Sequence, residues 1–234
     1  MPSVASLGKR LRARFASKHD EELRWWLETW DPVIRDGGLF PGDALDYLPD
    51  DEAASTYAGR RWQQARAEVQ RVVREAALGD DGFFAGKVVL DVGPGPLGFP
   101  DACPARLAIG VEPLAQRFAE HGLLLEDSPA VYLSTGAESV PLLSESVDVV
   151  LARNSLDHVD DPELVLREVR RLLRPGGTLI LNFDVDHTPT AMEPHTLTVE
   201  RVKSGLQGMT IEYEQGIDGA HGHDGHTVVL RARA

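Results

Sequence analysis

The chain has 234 residues, 42% hydrophobic and 26% charged, which is typical of a globular protein with one buried core plus an extension. Its single cysteine, Cys103, excludes an intramolecular disulfide and a cysteine-based metal cluster, and indicates a reducing, cytoplasmic location. A net charge of −13 disfavours nucleic acid as a partner, and no apolar run approaches the roughly 20 residues that span a membrane, so we expect a small-molecule or protein partner.

The first 85 residues are predicted to form helices and loops. Four apolar residues have the spacing of one helix face: Leu23, Trp26, Leu27 and Trp30. This helix should end before Pro32, and a second helix should span residues 57–78 after a loop over 36–51. We therefore expect residues 1–85 to form a helical cap or lid on the domain that follows.

From residue 87 onwards, apolar runs alternate with helical segments, a pattern typical of parallel sheets in α/β domains. Five strands are predicted at 87–92, 107–112, 131–134, 147–153 and 178–184. Between the last two, a helix over 161–173 should begin at Asp160 or Asp161, and another lies near 197–206.

Two final strands, at 209–215 and 226–233, are close enough in sequence to pair as an antiparallel hairpin. The predicted fold is α/β: a Rossmann-like, doubly wound, mostly parallel seven-stranded sheet with a C-terminal antiparallel hairpin and an N-terminal helical cap. The sheet domain should occupy residues 86–234.

A glycine-rich loop follows the first predicted strand, in the segment LDVGPGPLGFP at 90–100. Gly93, Gly95 and Gly98 fit the dinucleotide pattern G-x-G-x-x-G, and Glu112 lies 19 residues after Gly93, where an acidic side chain binds ribose hydroxyls. This pattern alone permits NAD or another cofactor that contains adenosine.

The prolines in and after this loop indicate which of the two kinds of cofactor it can bind. Pro94 and Pro96 remove backbone N–H donors that a pyrophosphate needs, and Pro100 and Pro104 leave room for only about one helical turn after the loop. Asp91 would repel a phosphate and attract an amino group or a sulfonium. S-adenosylmethionine carries both groups, together with a ribose and an adenine and without a phosphate, so the loop favours it over NAD.

Five motifs occur in the order and spacing of a known family: LDVGPGP, IGVEP, GAESVPL, VDVVLARNSLDHVDDPE and LLRPGGTLIL. On these motifs the chain resembles class I S-adenosylmethionine-dependent methyltransferases, and most of all the branch that acts on small molecules. The resemblance extends over residues 87–184. It implies methyl transfer to an oxygen or nitrogen of a small molecule, such as a secondary metabolite or a sugar.

The resemblance also implies a set of cofactor-binding residues: Asp91, Gly93, Gly95, Glu112, Ala137, Glu138 and Asn154. The first three would line the methionine moiety, Glu112 would hold the ribose, and the next two would border the adenine. Asn154 would lie near the transferred methyl. Gly136 departs from the family, which often has an aspartate there that binds the adenine amino group.

The sequence gives less information about the residues that contact the methyl acceptor. His158, which follows the fourth strand and titrates near neutrality, is the best-placed catalytic base, with Asp157 and Asp184 as further candidates. Trp25 is the first candidate for acceptor contact, and Arg60 or Arg61 could reach the carboxylate of the cofactor.

A glycine-rich hairpin tip contains three histidines that could bind a divalent metal: His221, His223 and His226. Such tips are usually solvated, and we expect no metal there. Two alternatives stay open: a protein of this fold that binds without transferring a methyl group, and an NAD-dependent oxidoreductase. The oligomeric state and the acceptor are not predicted.

Overall fold

A computed structural model describes residues 18–38, 55–217 and 226–234, which form a seven-stranded sheet with helices on both faces. The strands are β1 (Val88–Val92), β2 (Leu107–Val111), β3 (Val131–Leu133), β4 (Val147–Arg153), β5 (Leu173–Val185), β6 (Thr210–Ile217) and β7 (His226–Arg233). Their order is β3-β2-β1-β4-β5-β7-β6, with β7 antiparallel to both neighbours and the other pairs parallel. The predicted fold class is confirmed, including the C-terminal hairpin.

Strand β5 begins earlier than the sequence indicates. It starts at Leu173, directly after a helix, and Leu173 pairs with Val147 before the register shifts ahead of Val149. The Pro-Gly-Gly segment at 175–177 has the composition of a turn, but it lies inside this irregular extended stretch. Turn-type residues therefore mark a bulge here and not the end of a loop.

The principal helices are α1 (residues 18–35), α2 (Tyr57–Glu75), α3 (Phe99–Ala102), α4 (Ala115–Glu120), α5 (Pro162–Leu172) and α6 (Val199–Gly205). Short 3₁₀ turns occur at Asp81–Phe84 and Gly95–Leu97. Asp161 is the N-cap of α5, and its side chain accepts a hydrogen bond from the Leu164 N–H at 3.0 Å. Of the two residues predicted for this position, Asp160 and Asp161, the second is the cap. None of the described helices combines the length and apolar character needed to cross a membrane.

The prediction that α1 ends before Pro32 is wrong. A wider, π-helical turn spans Trp26–Trp30, in which the Asp31 N–H donates to the Trp26 carbonyl, and the α-helical segment Asp31–Arg35 follows. Pro32 lies in the first turn of that segment, the part of an α-helix in which proline is best tolerated. The helix can therefore pass through a residue that normally interrupts it.

Helix α2 packs on the sheet through the apolar face that the sequence predicts. Its residues Val69, Val72 and Val73, together with Ala76 at its C-cap, share a buried cluster with residues of β1, β4 and β5. It ends at Glu75, earlier than predicted, and Ala77 has a left-handed backbone at φ +51°. The opposite face of the sheet is covered by α5 and α6, so β1, β4 and β5 are buried on both sides.

Candidate functional site

A cavity of about 820 Å³ lies at the carboxyl ends of β1, β2, β4 and β5, with α1 and α2 forming its outer wall. This size is in the range of small-molecule sites, and the position is where doubly wound sheets bind ligands. Many of its lining side chains are polar or charged: Glu22, Glu68, Arg71, Glu75, Asp91, Glu112, Arg153, Asn154, His158, Asn182 and Glu193.

The glycine loop after β1 forms part of this wall, and two of its glycines are required by close contacts. Gly93 (φ +62°) would place a Cβ 2.7 Å from the Ser155 Cβ, and Gly95 (φ +54°) would place one 2.7 Å from the Trp26 ring. Ser155 also donates to the Val92 carbonyl at 2.8 Å. The loop after β4 and helix α1 therefore both contact the glycine loop so closely that side chains would not fit at positions 93 and 95.

The third glycine of the loop has a different purpose. Gly98 is left-handed at φ +86°, ends the 3₁₀ turn, and would place a Cβ 2.9 Å from the Ala65 Cβ on α2. Arg61, also on α2, is buried and donates to the Pro96 carbonyl at 3.2 Å and to the Leu123 carbonyl. The displaced glycine thus permits α2 to approach the loop. Arg61 holds the loop in place and is not among the described residues that line the cavity.

Glu112 ends β2 and is 3% exposed. Its Oε2 accepts from the Gly95 N–H at 3.2 Å and its Oε1 from the Leu114 N–H at 2.9 Å. Burial raises the pKa of Glu112 to about 8, and the nearby carboxylate of Glu22 adds to this shift. Each oxygen keeps a second lone pair, so this carboxylate can still accept hydrogen bonds from ligand hydroxyls.

Asp91 lines the cavity with an incompletely hydrogen-bonded carboxyl group. It is 2% exposed, and its Oδ2 has no hydrogen-bond partner among the described residues. Burial raises the pKa of Asp91 to about 7, although the charge of Arg153 opposes the shift and that of Glu68 adds to it. Among the described residues, Asn154 Oδ1 and Asn182 Oδ1 are also buried without a hydrogen-bond partner. Hydrogen-bond acceptors in β1, just after β4 and in β5 therefore face the cavity.

A polar face of α2 completes this end of the cavity, and the sequence analysis missed it. Glu68 is fully buried; its Oε2 accepts from Arg153 Nη1 at 2.9 Å, and its Oε1 lies 3.8 Å from Arg71 Nη1. Glu75 accepts from Asn182 Nδ2 at 3.0 Å. The helical spacing of these residues was the available signal, but a charged helix stripe more often faces solvent.

On the opposite side, Ala137 and Glu138 both line the cavity, where the sequence places the adenine. Glu138 Oε1 accepts from the Asp160 N–H at 2.8 Å and so fixes the segment before α5. A Cβ at Gly136 would lie 2.7 Å from Glu138 Oε2, which is the far end of a flexible side chain.

Beyond β4, His158 Nε2 lies 3.6 Å from Glu193 Oε1, and both residues line the cavity. Asp157 is 1% exposed and is not among the described lining residues; its Oδ2 lies 3.1 Å from His187 Nε2. Burial raises the pKa of Asp157, while the charge of His158 opposes the shift. Sequence reasoning missed Glu193 because no motif marks the segment after β5.

Residues 90–181 match the family model described as a methyltransferase domain. This segment of the chain is a methyltransferase domain. An uncharacterized methyltransferase of Mycobacterium ulcerans (strain Agy99) is 35% identical over 112 residues, which cover 47% of this chain and 43% of the relative. The chain therefore spans less than half the length of this relative.

Two solved structures share the fold of this methyltransferase domain. One is an S-adenosylmethionine dependent methyltransferase from Mesorhizobium loti, with TM-score 0.57, 15% identity, and coverage of 73% of this chain and 98% of that chain. The other is a Burkholderia thailandensis 1,6-didemethyltoxoflavin-N1-methyltransferase with 1,6-didemethyltoxoflavin and S-adenosylhomocysteine bound. It has TM-score 0.55, 18% identity, and coverage of 100% of this chain and 91% of that chain.

In the methyltransferase domain, every cofactor residue expected from the sequence lines one cavity: Asp91, Gly93, Gly95, Glu112, Ala137, Glu138 and Asn154. Trp25 lines it as well, and so does His158, whereas Arg60 donates to the Ile34 and Arg35 carbonyls. Asp184 is buried and accepts from Thr227. His221 and His223 lie outside the described residues.

Proposed function

We propose that this protein binds S-adenosylmethionine and transfers its methyl group to an oxygen or nitrogen atom of a small molecule. The observation that carries the proposal is the set of unpartnered acceptors on Asp91, Asn154 and Asn182, beside Glu112. A ligand with an ammonium group at one end and ribose hydroxyls at the other would supply the missing donors. S-adenosylmethionine has this arrangement of groups.

The chemistry needs little from the protein besides positioning. The acceptor atom forms a bond to the methyl carbon while the bond from carbon to sulfur breaks, and the sulfonium leaves as the neutral sulfur of S-adenosylhomocysteine. The acceptor also loses a proton if it began as a hydroxyl or a protonated amine. We propose that this proton leaves through the corner formed by His158, which faces the cavity, and Asp157 behind it.

We also propose that residues 1–85 act as the cap of the site and residues 86–234 as the cofactor-binding domain. Helix α1 contributes Lys18, Trp25 and Trp26 to the cavity, and α2 contributes Glu68 and Arg71. Residues of the cap therefore border both the methionine end and the acceptor side. The single cysteine remains the basis for predicting a cytoplasmic location.

Calorimetric titration of the purified protein with S-adenosylmethionine, S-adenosylhomocysteine and NADH tests the proposal. We expect the first two ligands to bind and NADH to show no heat of binding. Binding of NADH alone would refute the proposal in favour of an oxidoreductase. Binding of S-adenosylmethionine without methyl transfer to any compound in a broad acceptor panel would favour a protein that binds but does not transfer.

The ribose site has a test of its own. Glu112→Ala should weaken S-adenosylhomocysteine binding by roughly tenfold or more, because two charge-assisted hydrogen bonds to ribose are lost. The titration is run at pH 8.5, and Glu120→Ala, which removes an exposed glutamate at the end of α4, serves as the matched control. An unchanged dissociation constant in Glu112→Ala would show that the ribose lies elsewhere.

A further inference from the structure

Two carboxylates and one imidazole lie close together beside the proposed acceptor end of the cavity. Asp157 and His158 follow β4, and Glu193 lies between β5 and α6. One ligand atom from each of these residues lies within 4.8 Å of the other two. We propose that Asp157, His158 and Glu193 bind a divalent transition-metal ion next to the methyl acceptor.

The distance between the two cavity-facing groups supports a shared ion. His158 Nε2 and Glu193 Oε1 are 3.6 Å apart, which is too long for a hydrogen bond. Two ligands bound to one metal at about 2.1 Å, at a tetrahedral angle, are roughly 3.4 Å apart. The pair is thus spaced almost as two ligands of one ion would be.

The second and independent observation is the state of Asp157. Its side chain is 1% exposed, and neither carboxylate oxygen accepts a hydrogen bond of normal geometry among the described residues. His187 Nε2 lies 3.1 Å from Oδ2, and the backbone N–H of Asp157 itself also interacts with the carboxylate. His158 Nε2 is also buried without a hydrogen-bond partner. Buried carboxylates normally need paired donors or a cation, and an ion between these atoms would meet that need.

Neighbouring residues contact two of the three proposed ligands and hold them in place. Thr190 Oγ1 donates to Glu193 Oε2 at 3.2 Å and accepts from the Glu193 N–H at 3.0 Å, which leaves Oε1 directed at His158. His187 lies against Asp157 with its other nitrogen, Nδ1, 3.2 Å from the Thr188 carbonyl. Contacts of this kind orient metal ligands and fix the tautomer of a histidine.

Two carboxylates and one imidazole suit Mn²⁺, Fe²⁺, Co²⁺ or Zn²⁺, since oxygen and nitrogen donors are mixed. Three protein ligands leave coordination positions open towards the cavity. The use of the ion rests on the proposed methyl transfer: an acceptor hydroxyl bound to it would lose its proton more readily. With the ion bound, His158 Nε2 has no free lone pair, so His158 acts as the base proposed above only in the metal-free protein. This inference departs from the expectation that the chain binds no metal.

Metal binding can be measured without cofactor or acceptor. The protein is treated with a chelator, dialysed and titrated with Mn²⁺, and free Mn²⁺ is followed by its electron paramagnetic resonance signal. We expect one tight ion per chain. Glu193→Gln and Asp157→Asn should each weaken Mn²⁺ binding by at least about tenfold, since loss of an outer-shell contact alone has effects of that order.

Two controls locate the ion. His121→Ala removes an exposed histidine at the end of α4 and should leave Mn²⁺ affinity unchanged. The double variant His221→Ala/His223→Ala tests the histidine-rich segment and should also bind as the parent does. Absence of a tight ion, full affinity in Glu193→Gln, or loss of binding in the double variant would each overturn the proposal. Folding is checked by circular dichroism, and Glu193→Gln, on a loop, still tests the site if Asp157→Asn fails to fold.

The same protein, titrated separately with S-adenosylhomocysteine, keeps the two proposals distinguishable. A protein that binds Mn²⁺ through these residues but no S-adenosylhomocysteine would retain the metal site and refute the proposed function. The reverse result would refute the metal site alone.

Discussion

Asp91→Asn should stabilise the unliganded protein at pH 8 and at the same time weaken S-adenosylmethionine binding by about 100-fold or more. The first effect follows from burial, which raises the pKa of Asp91 from 3.8 to about 7. The unfolded chain releases this proton near pH 4, so the folded state loses stability as pH rises from about 4 to 7. The loss is of the order of 4 kcal/mol once the carboxylate is charged, and asparagine removes it.

The second effect follows from the cofactor. The ammonium group of S-adenosylmethionine would supply the donor that Asp91 Oδ2 lacks, and a neutral amide forms a weaker bond with it than a carboxylate does. A residue that destabilises the empty protein and is needed for binding is typical of a functional site. Removing a buried, charge-assisted contact of this kind has effects of about 2–5 kcal/mol, which sets the expected loss of affinity.

Melting temperatures at pH 5 and pH 8, and calorimetry at pH 8, measure both effects. The gain in melting temperature should be larger at pH 8 than at pH 5, because the loss of stability due to Asp91 grows from about pH 4 and is complete only above about pH 7. Asp127→Asn, at an exposed aspartate, should change neither quantity. If Asp91→Asn melted lower than the parent at pH 8, or kept its affinity, the role assigned to Asp91 would be wrong.

The sheet and the cofactor loop could be predicted because each rests on a local rule. Alternation of apolar runs located the strands, and Asp91 and Glu112 could be placed because parallel strands bring their carboxyl ends to one edge. The passage of α1 through Pro32 could not be predicted in this way. It depends on a π-helical turn, which has no reliable sequence signal.

The missed site residues share a different cause. Glu68 and Arg71 belong to a polar stripe of α2 that, by composition alone, would face water, yet the helix docks so that the stripe lines the cavity. Glu193 lies outside every motif, and only the path of the chain after β5 brings it to His158. These positions are set by tertiary packing, so a local pattern cannot reveal them.

Arg153→Met should lower the free energy of unfolding by about 3–5 kcal/mol, one of the largest effects of any single change in this protein. Arg153 Nη1 binds Glu68 Oε2 at 2.9 Å, and the Glu68 side chain has no exposure. The charge of Arg153 also opposes the rise in the pKa of Asp91 that burial causes. Its removal would leave buried Glu68 with only the more distant Arg71 as a cation, and Asp91 without the charge that opposes the rise of its pKa.

Urea denaturation of three variants tests this expectation. Adding Glu68→Met to Arg153→Met should restore much of the lost stability, because the double variant leaves no unpaired charge from the Arg153–Glu68 pair. Lys203→Met, which breaks the exposed Lys203–Glu214 pair at 2.7 Å, should lower stability by no more than about 1 kcal/mol.

The same measurements address the cap. Glu68 belongs to α2 and Arg153 to β4, so a large coupling energy between them means that the cap and the sheet unfold as one unit. Single variants as stable as the parent would mean that α2 does not dock on β4 through this pair. The polar face of α2 would then not be part of the cavity, and the cap would have to act on the site as a separate, movable element.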